Sequence, residues 1–298
     1  MLSCPKGVLT LKKNRISPGF MLPAWIIYTL MLVIPIFMAL GLSFVKWNGI
    51  GTMKFVGLDN YAMLLKDPRI KNSVENTAFI TVVVVVVVNV LGLAFALMLN
   101  KTSRRTSVFR AIFFLPFVLS SVAISLVWKS VLSYNGVLNS ILTSLGLDNM
   151  LGNYFASRWP AIICICVVEI WRTLGYHMML YLAALQTVPT ELYEASTLDG
   201  ANKWNQFKNI TLPLIVPGAT VSVLMSIINE LRIYDIVKIM TDGGPGYDTE
   251  SIVYNIAATG FNKGIIGYSS AIAVVLFVVI AAISVLSLYI SSKLEVDQ

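Results

Sequence analysis

An all-α, polytopic membrane fold with six transmembrane helices is what the sequence predicts, on three observations. Hydrophobic residues make up 57% of the 298-residue chain and charged residues only 12%, against about 45–50% and about 25% in soluble domains. Mean hydropathy is +0.78. Six stretches are almost free of charge and long enough to cross a hydrocarbon core, which takes about 20 apolar residues for about 30 Å.

The first stretch, Ile16 to Val45, is too long for a signal-peptide core of about 7–15 residues and is expected to remain as an anchor. The second, Asn76 to Asn100, contains the unbroken run Val82–Val88. Such residues favour strands in water, but in lipid every backbone group must be bonded within the segment, so a helix is expected. Ala111 to Trp128 is the third. Ser130 to Leu147 is equally uncharged but carries Ser, Asn, Thr and Gly throughout, and is expected as an amphipathic or irregular loop segment. The fourth runs from about Trp159 to Gln186 and is interrupted by Glu169 and Arg172, three apart and so on one helical face where they can neutralise each other. Asn209 to Asn229 and Gly264 to Ser292 complete a single membrane domain over 19–292, between tails 1–18 and 293–298.

Six crossings put both termini on one side. Lys6, Lys12, Lys13 and Arg15 precede the first span and Lys101, Arg104, Arg105 and Arg110 follow the second, with no acid in either segment. Positive residues favour the inside, so both tails are expected in the cytoplasm of a bacterial or archaeal plasma membrane. Lys46, Lys54, Lys66, Arg69 and Lys71 in the first outer loop oppose that reading. The net charge of +7 is read as topology, and no nucleic-acid partner is expected.

No G-x-x-x-x-G-K-[ST] loop is present, so an ATP-driven step would need another subunit, and no cofactor is expected on this chain. There is one histidine, His177, and no H-E-x-x-H, C-x-x-C or G-x-S-x-G. Catalytic and metal sites have little to stand on, and the chain is not expected to be an enzyme. Cys4, Cys164 and Cys166 make no disulfide framework, and the last two read as core residues.

The most informative segment is 189–213, P-T-E-L-Y-E-A-S-T-L-D-G-A-N-K-W-N-Q-F-K-N-I-T-L-P. Thr190 can cap a helix whose first turn carries Glu191 and Glu194, where the macrodipole favours negative charge. Asp199-Gly200 signals a turn, and a second helical pattern follows with Trp204, Phe207 and Ile210 on one side. This reads as two short helices bent at Gly200 at the membrane face.

The segment resembles the EAA loop of binding-protein-dependent ATP-binding-cassette importers, E-A-A-x-x-x-G followed by nine residues and I-x-L-P. Here Glu194-Ala195-Ser196, Gly200 and Ile210-Thr211-Leu212-Pro213 stand at the required spacing, with Ser196 in place of the second alanine. Phe55-Val56-Gly57-Leu58-Asp59-Asn60-Tyr61, Leu182-Ala183-Ala184-Leu185-Gln186 and Thr241-Asp242-Gly243-Gly244-Pro245-Gly246 are similar to sugar permeases of the maltose and glycerol-3-phosphate uptake class, first membrane subunit type.

The resemblance implies that the loop docks on a dimer of ATPase subunits, which holds the ATP and Mg, with Glu194 as the charged docking residue, Ala195 and Ser196 allowing close approach and Gly200 permitting the bend. Phe207 would pack the second helix, with Ile210 and Pro213 completing the motif. A second homologous permease subunit and an extracytoplasmic sugar-binding protein are the other implied partners, besides the bilayer. ATP-driven closure would rock the helices from inward-open to outward-open.

Polar groups at membrane depth usually face an interior or an aqueous cavity. Candidates for the substrate path are Glu169, Arg172 and His177, with Asn229 and Glu230 at the outer end of the fifth span, and Trp171, Tyr176 and Tyr181 as aromatic surfaces for a sugar. The bland alternatives are a structural ion pair for Glu169 and Arg172, an interior histidine for His177, and a solvated helix end for Glu230, Arg232 and Asp235. Asn89 reads as a link between helices. Other solutes, such as a polyol phosphate, polyamine or amino acid, stay open, as does a secondary transporter, although the matching interrupted repeats of that class are missing.

Overall fold

The computed structural model describes residues 18–101 and 103–294. The basic residues Lys6, Lys12, Lys13 and Arg15, and Cys4, lie outside the described residues. The elements are α1 (Pro18–Tyr28), α2 (Ile34–Leu42), α3 (Asp59–Lys66), α4 (Pro68–Leu99), α5 (Arg104–Val118), α6 (Ser121–Leu132), α7 (Val137–Ser144), α8 (Arg158–Leu185), α9 (Thr190–Leu198), α10 (Lys203–Gln206), α11 (Leu212–Leu214), α12 (Val216–Leu231), α13 (Asp235–Met240), α14 (Ile252–Ala257) and α15 (Ile266–Leu294). A two-stranded antiparallel ribbon, β1 (Val45–Lys46) with β2 (Lys54–Phe55), is a minor addition to the all-α expectation.

The centre is a three-helix core of α4, α8 and α12. On α4 the buried residues Ile70, Ser73, Thr77, Ile80, Val84, Val88, Gly92 and Ala96 recur at helical spacing, while Val82, Val86 and Val90 face outward. The valine run is therefore a helix with one packed stripe and one lipid-facing stripe. Gly92 lets the backbones of α4 and α8 approach closely: a Cβ there would stand 3.2 Å from Met178 N. Gly175 does the same for α5, because a Cβ would overlap the Phe113 carbonyl. The apolar α1 and α2 bury none of their described side chains, and α2 touches the bundle through α15.

Among the described residues, five helical segments are long and apolar enough to cross a membrane, and a bent pair can make a sixth. That pair corrects the expected third span. Ala111 to Trp128 is not one straight helix: α5 stops at Val118, Leu119 and Ser120 are extended, and the chain bends by 94°. Pro116 lies three residues before the break, and beyond it α6 packs against α13. Ser121 Oγ donates to Asp235 Oδ2 at 2.6 Å and Lys129 Nζ to the Ile239 carbonyl at 2.8 Å. The Ser130–Leu147 stretch supplies α7, whose Asn139 amide donates to the carbonyls of Tyr134 and Gly152 at 2.8 and 3.0 Å.

The connection 241–251 is fastened to the start of α4. Arg69 pairs bidentately with the buried Glu250, and Asn76 Nδ2 donates to the carbonyls of Asp248 and Glu250 at 2.8 and 3.0 Å. Cys164 and Cys166 both sit in the buried core.

Candidate functional site

Two sites stand out, at opposite ends of the core. The first is the hairpin of α9 and α10. It leads through a π-helical turn, Phe207–Thr211, and α11 into α12. Helix α9 begins at Thr190, so Thr190 is its first residue rather than its cap. That position belongs to Pro189, which has no side chain able to bond the first amides. The helix ends in a Schellman motif, Ala201 N to Ser196 O at 2.9 Å and Gly200 N to Thr197 O at 3.1 Å. Gly200 has φ +80°, and a Cβ there would meet nothing within 4 Å. Glycine is required for the left-handed backbone rather than for space. Asn202 caps the second helix, accepting from Asn205 N at 2.9 Å.

Glu194 and Ala195 are exposed, Ser196, Phe207, Ile210 and Pro213 half-buried. Leu198 is 90% exposed and Trp204 68% exposed, with the Trp204 ring against Phe207. Exposed apolar residues beside an exposed acid make a surface suited to a protein partner. The Pro213 ring has no N–H for the Asn209 carbonyl, and the wider π turn just before it accommodates that gap.

The second site is a cavity of about 400 Å³ near the break between α5 and α6, lined by Phe117, Ser121, Glu169, Arg172, Asn229, Arg232 and the Ile233–Ile236 turn. Among the expected path residues it gathers Glu169, Arg172 and Asn229. Arg172 grips Glu169 through two bonds, with Nε to Oε2 at 3.0 Å. The pair stabilises itself and still presents the guanidinium to the cavity. Tyr176 stacks on Phe117 at 4.4 Å between ring centroids and so stands behind the aromatic wall.

Other candidates fall elsewhere. Trp171 packs edge-on against Trp128, away from the cavity lining. Glu230 is 2% exposed, which overturns the solvated-end alternative for it. It lies within electrostatic reach of Glu169 and Arg172 on α8. One of its oxygens has no hydrogen-bond partner.

His177 and Tyr181 are buried in a polar network between α4, α8 and α12. Asn89 Oδ1 accepts from Tyr181 Oη at 3.0 Å and Ser222 Oγ at 2.8 Å, while Asn89 Nδ2 donates to Ser226 Oγ at 2.9 Å and the Val85 carbonyl at 2.8 Å. His177 Nδ1 lies 2.9 Å from Ser222 Oγ. Ser222 spends its one proton on Asn89, so the histidine is the donor. Asn89 is a fully satisfied link between three helices.

Phe117, Ser121, Arg232, Tyr234 and Asp235 line the cavity without having been selected as path residues from sequence. For Ser121 the available signal is the small polar pair Ser120-Ser121 inside an apolar stretch, and for Arg232 and Asp235 their charge at the end of the fifth span.

Residues 89–296 match the family model described as binding-protein-dependent transport system inner membrane component. The multiple sugar-binding transport system permease of Streptococcus mutans is 32% identical over 93% of this chain and 95% of its own length. The trehalose/maltose transport system permease of Thermococcus litoralis is 35% identical over 78% and 79%. In fold, a chain of a bacterial ABC transporter involved in import of the acidic polysaccharide alginate superposes with a TM-score of 0.80 at 22% identity, over 93% of this chain and 94% of that one.

Proposed function

This chain belongs to the inner membrane components of binding-protein-dependent transport systems, and from that premise we propose that it is the permease subunit through which a sugar or oligosaccharide enters the cell. A separate ATPase dimer supplies the energy, with ATP and Mg bound there. A second permease subunit completes the pathway, and an extracytoplasmic binding protein delivers the solute. The cavity between α5, α8 and α12 carries this reading. It joins an aromatic wall, Phe117 backed by Tyr176, to carboxylate, guanidinium and amide groups, the combination that suits a sugar ring with its apolar face and polar rim. The sugar permeases among its relatives support the same class.

The α9–α10 hairpin is the coupling element, with Glu194, Ala195, Ser196 and Gly200 against the ATPase. Its end of the bundle is cytoplasmic, as the basic residues Lys101, Arg104, Arg105, Lys203 and Lys208 at that end favour. Both tails then lie inside.

The test is reconstitution of the whole complex in liposomes, with binding protein loaded from a panel of oligosaccharides, polyol phosphates, polyamines and amino acids. Saccharide alone is expected to stimulate ATP hydrolysis and accumulate inside. Stimulation by an amino acid or polyamine, with none by saccharides, would sink the assignment.

A further inference from the structure

The coupling hairpin is held less by packing than by polar cross-links. Helix α9 has no fully buried residue, and nothing packs against Gly200 at its turn. A hinge of this kind bends under load unless something spans it.

Gln206 spans it. Its Nε2 lies 2.9 Å from Thr197 Oγ1, 3.0 Å from Ser196 Oγ and 3.4 Å from the Tyr193 carbonyl, reaching from the end of α10 to the last turns of α9. The two hydroxyls give their own protons to the Tyr193 carbonyl, at 2.9 Å from Ser196 and 2.7 Å from Thr197. Their remaining lone pairs call for a donor, and the amide of Gln206 has two protons for them. A second bridge, Tyr193 Oη to Thr211 Oγ1 at 2.8 Å, ties α9 to the buried end of the π turn. The substitution of Ser196 for alanine in the motif thus has a structural use: it adds an acceptor for Gln206.

We propose that Gln206 is a positioning residue for energy coupling: it staples α9 to the helix that leads into α12, so that displacement of the hairpin moves α12 as one body. The staple rests on the reading of the hairpin as the ATPase-coupling element. Without it, movement of α9 is taken up by rotation about Gly200 and reaches α12 weakened.

The experiment measures solute transported per ATP hydrolysed in the reconstituted complex, together with co-purification of the ATPase. Gln206→Met keeps length and removes the donor, and Ser196→Ala with Thr197→Val removes the acceptors while keeping shape. Each is expected to lower the ratio by about fivefold, on the scale of one or two lost hydrogen bonds, with co-purification unchanged. Combining all three changes is expected to add nothing, since both sets break the same bond.

A ratio unchanged in Gln206→Met, or additive losses in the combined variant, would overturn the staple. Glu194→Ala separates the two levels of the inference. If it lowers the ratio or the co-purification while Gln206→Met does not, the staple alone falls. If neither has any effect, the coupling reading falls with it.

Discussion

The phenol of Tyr181 on α8 donates to the amide oxygen of Asn89 on α4 at 3.0 Å, in the core that both helices share with α12. Asn89 uses both acceptor positions and both donors in this network. Asn89→Leu therefore takes from Tyr181 its bond to α4 at membrane depth and removes one partner each from Ser222 and Ser226, which keep His177 and the Val223 carbonyl. Interhelical bonds in lipid average about 0.6 kcal/mol, and stranding a buried polar group costs about 1–3 kcal/mol. The expected loss is about 2 kcal/mol, read as a fall in melting temperature in detergent. Tyr181→Phe should cost less, and nothing further in the Asn89→Leu background. Additive losses would show that the two residues act separately.

Arg172 and Glu169 form the one ion pair at the cavity, beside the buried Glu230. Arg172→Met strands a carboxylate that is 3% exposed next to another acid. Breaking a buried pair from one side costs about 3–5 kcal/mol, whereas replacing both partners is often near neutral. Arg172→Met should yield little monodisperse protein on size exclusion, and adding Glu169→Gln should restore much of it. No restoration would mean that Arg172 acts through contacts other than Glu169.

How far the sequence could be read divides along the distance of the causes. Helix α4 was legible because a charge-free run of that length can satisfy its backbone in lipid only as a helix, although which residues pack, Ile80, Val84 and Val88 among them, was not read from sequence. The α9–α10 hairpin was legible from its own residues: Gly200 needs its left-handed φ for a turn built within a few residues. The break at Leu119–Ser120 was legible only in part: Pro116 stands three residues before it, but inside α5, and Asp235, the partner of Ser121 just after it, is 114 residues away. The burial of Glu230 was hidden too, because an acid near a helix end looks solvated until it is seen to face Glu169 and Arg172 on another helix.

Gly200 offers a local test of the hairpin. With φ +80° and open space around a Cβ, the penalty of substitution is conformational, about 1–2 kcal/mol for most L-residues and least for asparagine. Gly200→Val should uncouple ATP hydrolysis from transport at normal membrane expression, and Gly200→Asn should retain more coupling. Equal defects in the two would point instead to a steric role against the partner.

The loop 241–250 should respond to acid in one direction. Lys238 Nζ lies 2.6 Å from Asp242 Oδ1 and Tyr254 Oη donates to the same oxygen at 3.0 Å, which together hold the Asp242 carboxyl below its ordinary value, the lysine contributing most. A lowered carboxylate pKa means that the contribution is complete above the ordinary carboxylate range, about 4, and is lost as pH falls through the lowered value. Both partners are substantially exposed, so the effect is local and screened by salt. Amide exchange in 241–250, corrected for its intrinsic pH dependence, should quicken only on acidification, sooner at high salt. Asp242→Asn should exchange at the faster rate across the whole range. Because the loop is also held by Arg69 and Asn76, helix α4 should stay protected throughout. Loss of protection in α4 at the same pH would mean that the Asp242 contact supports the bundle and not the loop alone.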